Sequence, residues 1–218
     1  MAAVLNCSRG DAGEISTILA NSALDIQRAM SLNGRIYERL YSTHWAVPPD
    51  RFVIAERKGA VIATAGLLFA ANHDVITSER YFDLDSSVER FFAEERPYIA
   101  EIGRLTSTTT DGLKAVLDQA VIECRKRNIR YLVGWTSSAV KVHLERNCGF
   151  IWQKLDAKLN LDRALADNDW VITPTGFFIR DDAPQLLMSI ILPNLAYAAK
   201  DERNPADDSI SRMREAAE

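Results

Sequence analysis

Apolar residues recur at Leu113, Val116, Leu117, Ala120, Val121 and Cys124, the i, i+3, i+4, i+7, i+8, i+11 spacing of one helical face. This predicts an amphipathic helix opening near Gly112. Earlier in the chain, Ile15, Ile18, Leu19 and Ala23 predict a helix over residues 13–30, and a second follows over 32–41 before Val47-Pro48-Pro49-Asp50. FVIAER and AVIATAGLLFA, joined at Lys58-Gly59, predict a β-hairpin over 51–70. Ser86 or Ser87 caps a short helix reaching Glu95, and Pro97 leads into a strand over 98–105. YLVGWT (131–136) reads as a buried strand, 139–147 as a short helix and 150–161 as another strand. Residues 169–179 predict a strand pair broken by Pro174, and 185–199 a last apolar helix.

Strand, helix, strand, helix, strand in this order requires a crossover, so part of the sheet is predicted to be parallel in an α/β fold. The expected organisation is one domain over 1–199 and a polar, mobile tail over 200–218.

Composition narrows the function classes. With 218 residues, 47% of them hydrophobic, the chain can bury a full core. A net charge of -4 and a pI near 5.5 argue against a protein built to hold a nucleic-acid backbone. Cys7, Cys124 and Cys148 are odd in number without metal-ligand spacing, as expected of reduced thiols in a cytoplasmic protein. His44, His73 and His143 lack ligand spacing and acidic partners, so no metal is predicted. The N-terminus lacks a basic stretch followed by an apolar run, and the apolar run 186–199 contains Pro193 and is short for a bilayer, so neither a signal peptide nor a stable membrane span is predicted.

The chemistry concentrates in YIAEIGRLTSTTTDGLK. Its strand carries the carboxylate of Glu101 in an apolar context, where burial raises a pKa unless a cation is near. Strict alternation puts Glu101 and Arg104 on opposite faces; a bulge at Gly103 would bring them to one side. The hydroxyl-rich loop from Ser107 enters a helix N-terminus, a natural anion site, although Ser, Thr and Asp equally cap helices with no ligand present.

The segment HLERNCGFIW (143–152) and the order of elements resemble the GNAT-like acyltransferase fold, with a mixed central sheet splayed between two parallel strands and flanked by helices. Within it, EIGRL resembles the Glu-x-x-Arg-Leu strand of acyl-homoserine-lactone synthases and long-chain N-acyl amino acid synthases. RIYERLYSTHW (35–45) is similar to the Arg, aromatic and Trp pattern that precedes the sheet in those enzymes. ERYFDLDSSVERFF before IAEIGRL is similar to the thermostable haemolysin family, with Arg104 where that family has Asn. The coenzyme A pattern Gln/Arg-x-x-Gly-x-Gly/Ala is absent: STTTDGLK has one glycine, Gly112, and no leading Arg.

The resemblance implies an N-acyltransferase that moves an acyl group from a thioester, on acyl-CoA or on the phosphopantetheine of an acyl carrier protein, to the amine of a small molecule such as an amino acid or an autoinducer-like acceptor. A haemolysin-like, catalytically silent binding or membrane-active module is the alternative, with the 185–199 helix as its surface. In the enzyme, Glu101 is the candidate base and Arg104 the anchor of an acceptor carboxylate. Ile102, Gly103, Leu105, Ser107, Thr109, Thr110, Gly112, Leu113 and Lys114 are the candidate donor site, along the strand and at the helix start. Arg35, Tyr41 and Trp45 are candidates for a lid, and Trp135 and Ser137 for the acyl channel. No Ser-His-Asp or Cys-His constellation is evident, so direct attack by the acceptor is expected. Lys114, Arg125, Lys126, Arg127 and Arg130 form a basic patch that would suit an acidic carrier protein or, equally, complement the helix dipole.

Overall fold

The sheet begins as a meander whose order follows the chain. The computed structural model describes residues 2–4, 13–41, 49–160, 162–163 and 184–191, with the backbone path alone for 2–4 and 37–41. β2 (Ile15–Leu19), β3 (Arg51–Arg57) and β4 (Ala60–Phe69) pair antiparallel, and β4 pairs antiparallel with β6 (Ile99–Ser107). The β3–β4 turn is Lys58-Gly59, both at positive φ (51° and 75°), as a tight hairpin turn requires.

Beyond β6 the order is β7 (Tyr131–Thr136), β10 (Gln185–Ile190) and β8 (Gln153–Lys154). β6 and β7 run parallel, linked by α4 (Thr110–Lys126), whereas β10 is antiparallel to both of its neighbours. The short strand β1 (Ala2–Val4) lies parallel to the far half of β6. Around the sheet stand α1 (Ala23–Tyr41), α2 (Thr77–Tyr81), α3 (Ser86–Glu95) and α5 (Ser138–Cys148), with a two-stranded ladder of β5 (Phe82–Leu84) and β9 (Ala157–Leu159).

Apolar clusters cover both faces of the sheet. Leu113, Val116, Leu117 and Ala120 of α4 pack with Val53, Leu67, Ala100, Ile102, Leu105 and Leu132 on one face. On the other, Leu32 and Ile36 of α1 and Phe92 of α3 pack with Ile99, Tyr131, Val133 and Trp135. Each buried Leu or Ile contributes about 1.5–3 kcal/mol, so these faces fix the layering.

Three predicted elements differ. Residues 13–30 are not one helix: Ile15–Leu19 is an edge strand, and α1 starts only at Ala23. The reason is local, since Ser22 and Asp25 cap each other's backbone and start the helix there (Asp25 N to Ser22 Oγ, 3.1 Å; Ser22 N to Asp25 Oδ2, 3.3 Å), while Ile15, Thr17 and Ile18 favour a strand. Residues 185–190 are a strand, not a helix; Leu186 and Met188 face one core and Leu187 the other. A strand buried on both faces has the same unbroken apolar run as a buried helix. The predicted strand 150–161 is split into β8 and β9, which join different sheets. The predicted strand pair 169–179 and the tail 200–218 lie outside the described residues.

No helix among the described residues is long and apolar enough to cross a membrane.

Candidate active site

β6 and β7 part company at the carboxylate. Their parallel register covers Ile99↔Tyr131, Ala100↔Leu132 and Glu101↔Val133 and goes no further. β1 then takes the same edge of β6 at Leu105, Thr106 and Ser107. Among the described residues, no strand is in register with Ile102–Arg104 on that edge, so the two ladders are separated by a short stretch. At its mouth the strands still touch: a Cβ on Gly134 would stand 3.1 Å from the Ile102 carbonyl, so a larger residue there would push β7 away.

The opposite edge of β6 carries a bulge. Gly66 of β4 faces Gly103 and Thr64 faces Thr106, so Ala65 opposes both Arg104 and Leu105. The expected bulge is present but centred one residue later than Gly103. Arg104, not glycine, adopts the left-handed conformation, at φ 50°, a conformation that costs a non-glycine residue on the order of 1 kcal/mol. Side-chain parity changes across it: Ile102 and Leu105 both pack on the α4 face. Arg104 turns to the α1 face, its guanidinium 5.9 Å from the Phe52 ring. Glu101 projects to that same side of the sheet, toward α2.

The bulge displaces the Arg104 carbonyl from the ladder, and two hydroxyls lie under it. Thr64 Oγ1 is 3.3 Å and Thr106 Oγ1 3.4 Å from this oxygen, the hydroxyls are 2.7 Å apart, and Asn33 of α1 bonds both (Nδ2 to Thr64, 2.6 Å; Thr106 to Oδ1, 3.2 Å). All three side chains are buried. A polar trio inside a core has to be fully bonded, and here it anchors the bulge.

Glu101 is 2% exposed. Desolvation pushes its carboxyl above the usual range, opposed by the Ser78 backbone N–H, which donates to Oε2 at 2.8 Å. The Ser78 hydroxyl, buried and without a hydrogen bond of good geometry, favours the ionised form from nearby.

The hydroxyl loop is tied to protein. Ser107 Oγ donates to the Thr109 carbonyl, Thr108 N donates to the Ile62 carbonyl, and Thr109 Oγ1 accepts from Gly112 N at 3.0 Å as the cap of α4. Gly112 serves close approach: a Cβ there would lie 2.9 Å from Thr109 Oγ1 and 3.1 Å from Ile62 Cδ1. Thr110 is the first residue of α4, and the side chains of Ile102, Leu105 and Leu113 belong to the core; Leu105 is paired with Ala2 of β1 and Leu113 N donates to the Thr109 carbonyl, so of these three only Ile102 has backbone in the stretch between the ladders. Lys114 is exposed and pairs with Asp118 at 2.6 Å, which raises its pKa.

The remaining predicted residues are dispersed. Arg35 is exposed on α1, Tyr41 ends that helix, and Trp45 lies outside the described residues. Trp135 is packed in the core against Phe82, and Ser137 caps α5. In the basic patch, Arg127 pairs with Glu123 and covers Phe69, and Arg130 stacks on Tyr98. The described cysteines, Cys124 and Cys148, are buried, and burial pushes Cys124 up to about 12, which disqualifies it as a nucleophile.

Sequence reasoning missed Ser78, whose N–H holds Glu101, and the Asp50–His73 pair. His73 does have an acidic partner, Asp50 (3.0 Å), whose carboxylate also accepts the Phe69 N–H at 2.7 Å. A partner 23 residues away leaves no local spacing to read. His143 Nε2, by contrast, is buried without a partner. Among the described residues, no group of three or more His, Cys, Asp or Glu is placed to hold a metal ion.

No family model matches the sequence, and no curated protein matches it. Solved structures do match the fold. The AHL synthase LasI superposes with a TM-score of 0.54 at 11% identity over 83% of this chain and 91% of its own. TofI in its apo form gives 0.55 at 15% identity over 81% and 91%. FeeM, an N-acyl amino acid synthase from uncultured soil microbes, gives 0.51 at 10% identity over 82% and 91%. At these identities the match speaks for the fold alone: the chain shares the fold of LasI, TofI and FeeM, in line with the mixed α/β, GNAT-like fold expected from the sequence.

Proposed function

We propose that this protein is an N-acyltransferase that moves an acyl group from a thioester donor to the amine of a small, carboxylate-bearing acceptor. One observation carries the reading: the β6 bulge brings a buried carboxylate and a buried guanidinium to one face of a strand, beside the point where that strand leaves its parallel neighbour.

In this reaction the acceptor nitrogen attacks the thioester carbonyl, its proton passes to Glu101, the C–S bond breaks and the thiolate leaves. Glu101 suits the base role because burial raises its proton affinity while the Ser78 N–H keeps the ionised form accessible. Arg104 offers a bidentate fork for the acceptor's carboxylate. The backbone of Ile102 and Gly103, where β6 leaves β7, would supply hydrogen-bonding groups for the donor's amide arm and for the oxyanion. The donor's phosphate would lie toward Ser107–Lys114, where Thr109 already uses one free N–H of the helix start. The donor class is an acyl thioester of coenzyme A or of a carrier protein.

Among rival readings, the membrane-active module loses its candidate surface over 185–190, because β10 is an interior strand.

The test is release of free thiol from acyl-CoA and from acyl carrier protein, each with a panel of amino acids as acceptors. Thiol release that depends on the amine, and that Glu101→Gln abolishes, supports the reading. No amine-dependent release from either donor, or a fully active Glu101→Gln, overturns it.

A further inference from the structure

A hydrogen-bonded clamp stands behind the candidate base. Glu101 accepts the N–H of Ser78, and Ser78 lies in α2, a helix of five residues, far too short to hold its shape without tertiary support. Arg96, in the turn that leads into β6, ties this segment together. Its Nη1 donates to Glu79 Oε1 at 2.7 Å, and its Nη2 donates to the carbonyls of His73 and Asp74, each at 2.6 Å. Glu79 in turn accepts the Ile76 N–H at 2.9 Å through its other oxygen. One guanidinium therefore fastens both ends of the 73–79 segment, and Asp50 fastens it a second time through His73.

The clamp is more than a surface ion pair. Arg96 and Glu79 are mostly buried, with 23% and 18% of their side-chain surfaces exposed. A planar, five-donor group is needed to reach three acceptors at once. Removing it takes this donor from the His73 and Asp74 carbonyls and frees α2 to drift from β6.

Resting on the acyl-transfer reading, we infer that Arg96, acting through Glu79 and α2, is a positioning residue that aims the Ser78 N–H at Glu101 and so fixes the base against the acceptor amine. The expected signature is a loss in kcat with little change in KM, since the clamp touches neither substrate. A displacement of about 1 Å in a catalytic group costs on the order of 10- to 100-fold.

Three variants test it: Arg96→Ala, Arg96→Lys and Glu79→Gln, each with kcat, KM for both substrates, thermal midpoint, and NMR exchange of the Ser78 amide proton. Arg96→Ala is expected to lower kcat about 10- to 100-fold at unchanged KM, to speed Ser78 exchange, and to recover part of its kcat when methylguanidinium is added. Arg96→Lys, which keeps the charge but not the fork, is expected to fall between Arg96→Ala and the native protein, and Glu79→Gln to resemble Arg96→Lys.

Unchanged Ser78 exchange in Arg96→Ala overturns the clamp whatever the activity. So does a kcat loss that only tracks the thermal midpoint and resists methylguanidinium. Ser78 exchange is read without turnover and is separate from the Glu101→Gln thiol assay, so failure of the clamp and failure of the acyl-transfer reading give different results.

Discussion

Thr64 Oγ1 and Thr106 Oγ1 lie 2.7 Å apart on neighbouring strands, both against the carbonyl that the bulge at Arg104 turns out of its ladder. Thr106→Val keeps the shape and removes the hydroxyl, leaving Asn33 Oδ1 without that donor in a buried site. The expected cost is about 1–3 kcal/mol in urea unfolding, with a higher KM for the acceptor because the Arg104 backbone is released. Equal stability with normal KM would mean that the trio does not hold the bulge.

Glu101→Gln separates catalysis from structure. The amide keeps the shape and can accept the Ser78 N–H but cannot take a proton, so turnover is expected to fall on the order of 100- to 10,000-fold. In the native protein, activity is expected to rise with pH as the carboxyl ionises, with a midpoint above the ordinary glutamate range, because burial raises it. The stability sign is opposite: the folded state holds this proton more tightly than the unfolded one, so stability from this group is full below the unfolded pKa and lost as pH rises through the folded one. At neutral pH the Gln variant is therefore expected to unfold no more easily than the native protein, and a clear drop in its thermal midpoint would assign Glu101 a structural role.

Arg104→Lys is expected to raise the acceptor's KM while leaving the donor's unchanged, because an ammonium cannot replace a bidentate fork at a carboxylate. Steady-state kinetics with an amino acid and with its decarboxylated amine check this. The variant should discriminate less between the two than the native protein does.

Gly112→Ala sets two effects against each other. Alanine is better than glycine inside a helix by roughly 1 kcal/mol. Its Cβ, however, would stand 2.9 Å from the capping Thr109 hydroxyl and 3.1 Å from Ile62, and overpacking of this kind costs about 1–3 kcal/mol. Net destabilisation in urea melts is expected, and a more stable variant would show that α4 can lift from β4 freely.

Ala3→Pro addresses the donor edge. β1 pairs with Leu105–Ser107, and a donor laid along that edge displaces it. A proline disrupts a ladder, so the variant is expected to lower the donor's KM by roughly threefold to tenfold, the worth of about one hydrogen bond. An unchanged KM would place the donor elsewhere.

How far the sequence could be read followed physical rules. The hairpin and α4 were legible because their periods are strong and their turn and cap residues are local. The need for a bulge between Glu101 and Arg104 was legible from parity, but its place was not: glycine tolerates the left-handed region best, and the strain fell on Arg104 instead, beside the Thr64–Thr106 pair. Ser78 was invisible because it acts through a backbone N–H that every residue but proline has. Asp50–His73 and Arg96–Glu79 join positions far apart in the chain, and residues 185–190 have a run of apolar side chains that suits a helix or a strand until a neighbour is known.

The place of β10 sets an order of events during synthesis. Among the described residues, β7 is bordered by β6 only as far as Val133 and by β10 along its whole length, and β8 reaches the sheet only through β10. Until residue 190 has left the ribosome, the Tyr131–Thr136 strand, buried throughout in the finished protein, has an unpaired edge able to recruit any extended apolar segment nearby. The nascent chain is thus open to mispairing through the very strand that flanks its candidate site, and a chain that stops short of residue 185 keeps that exposure for its lifetime.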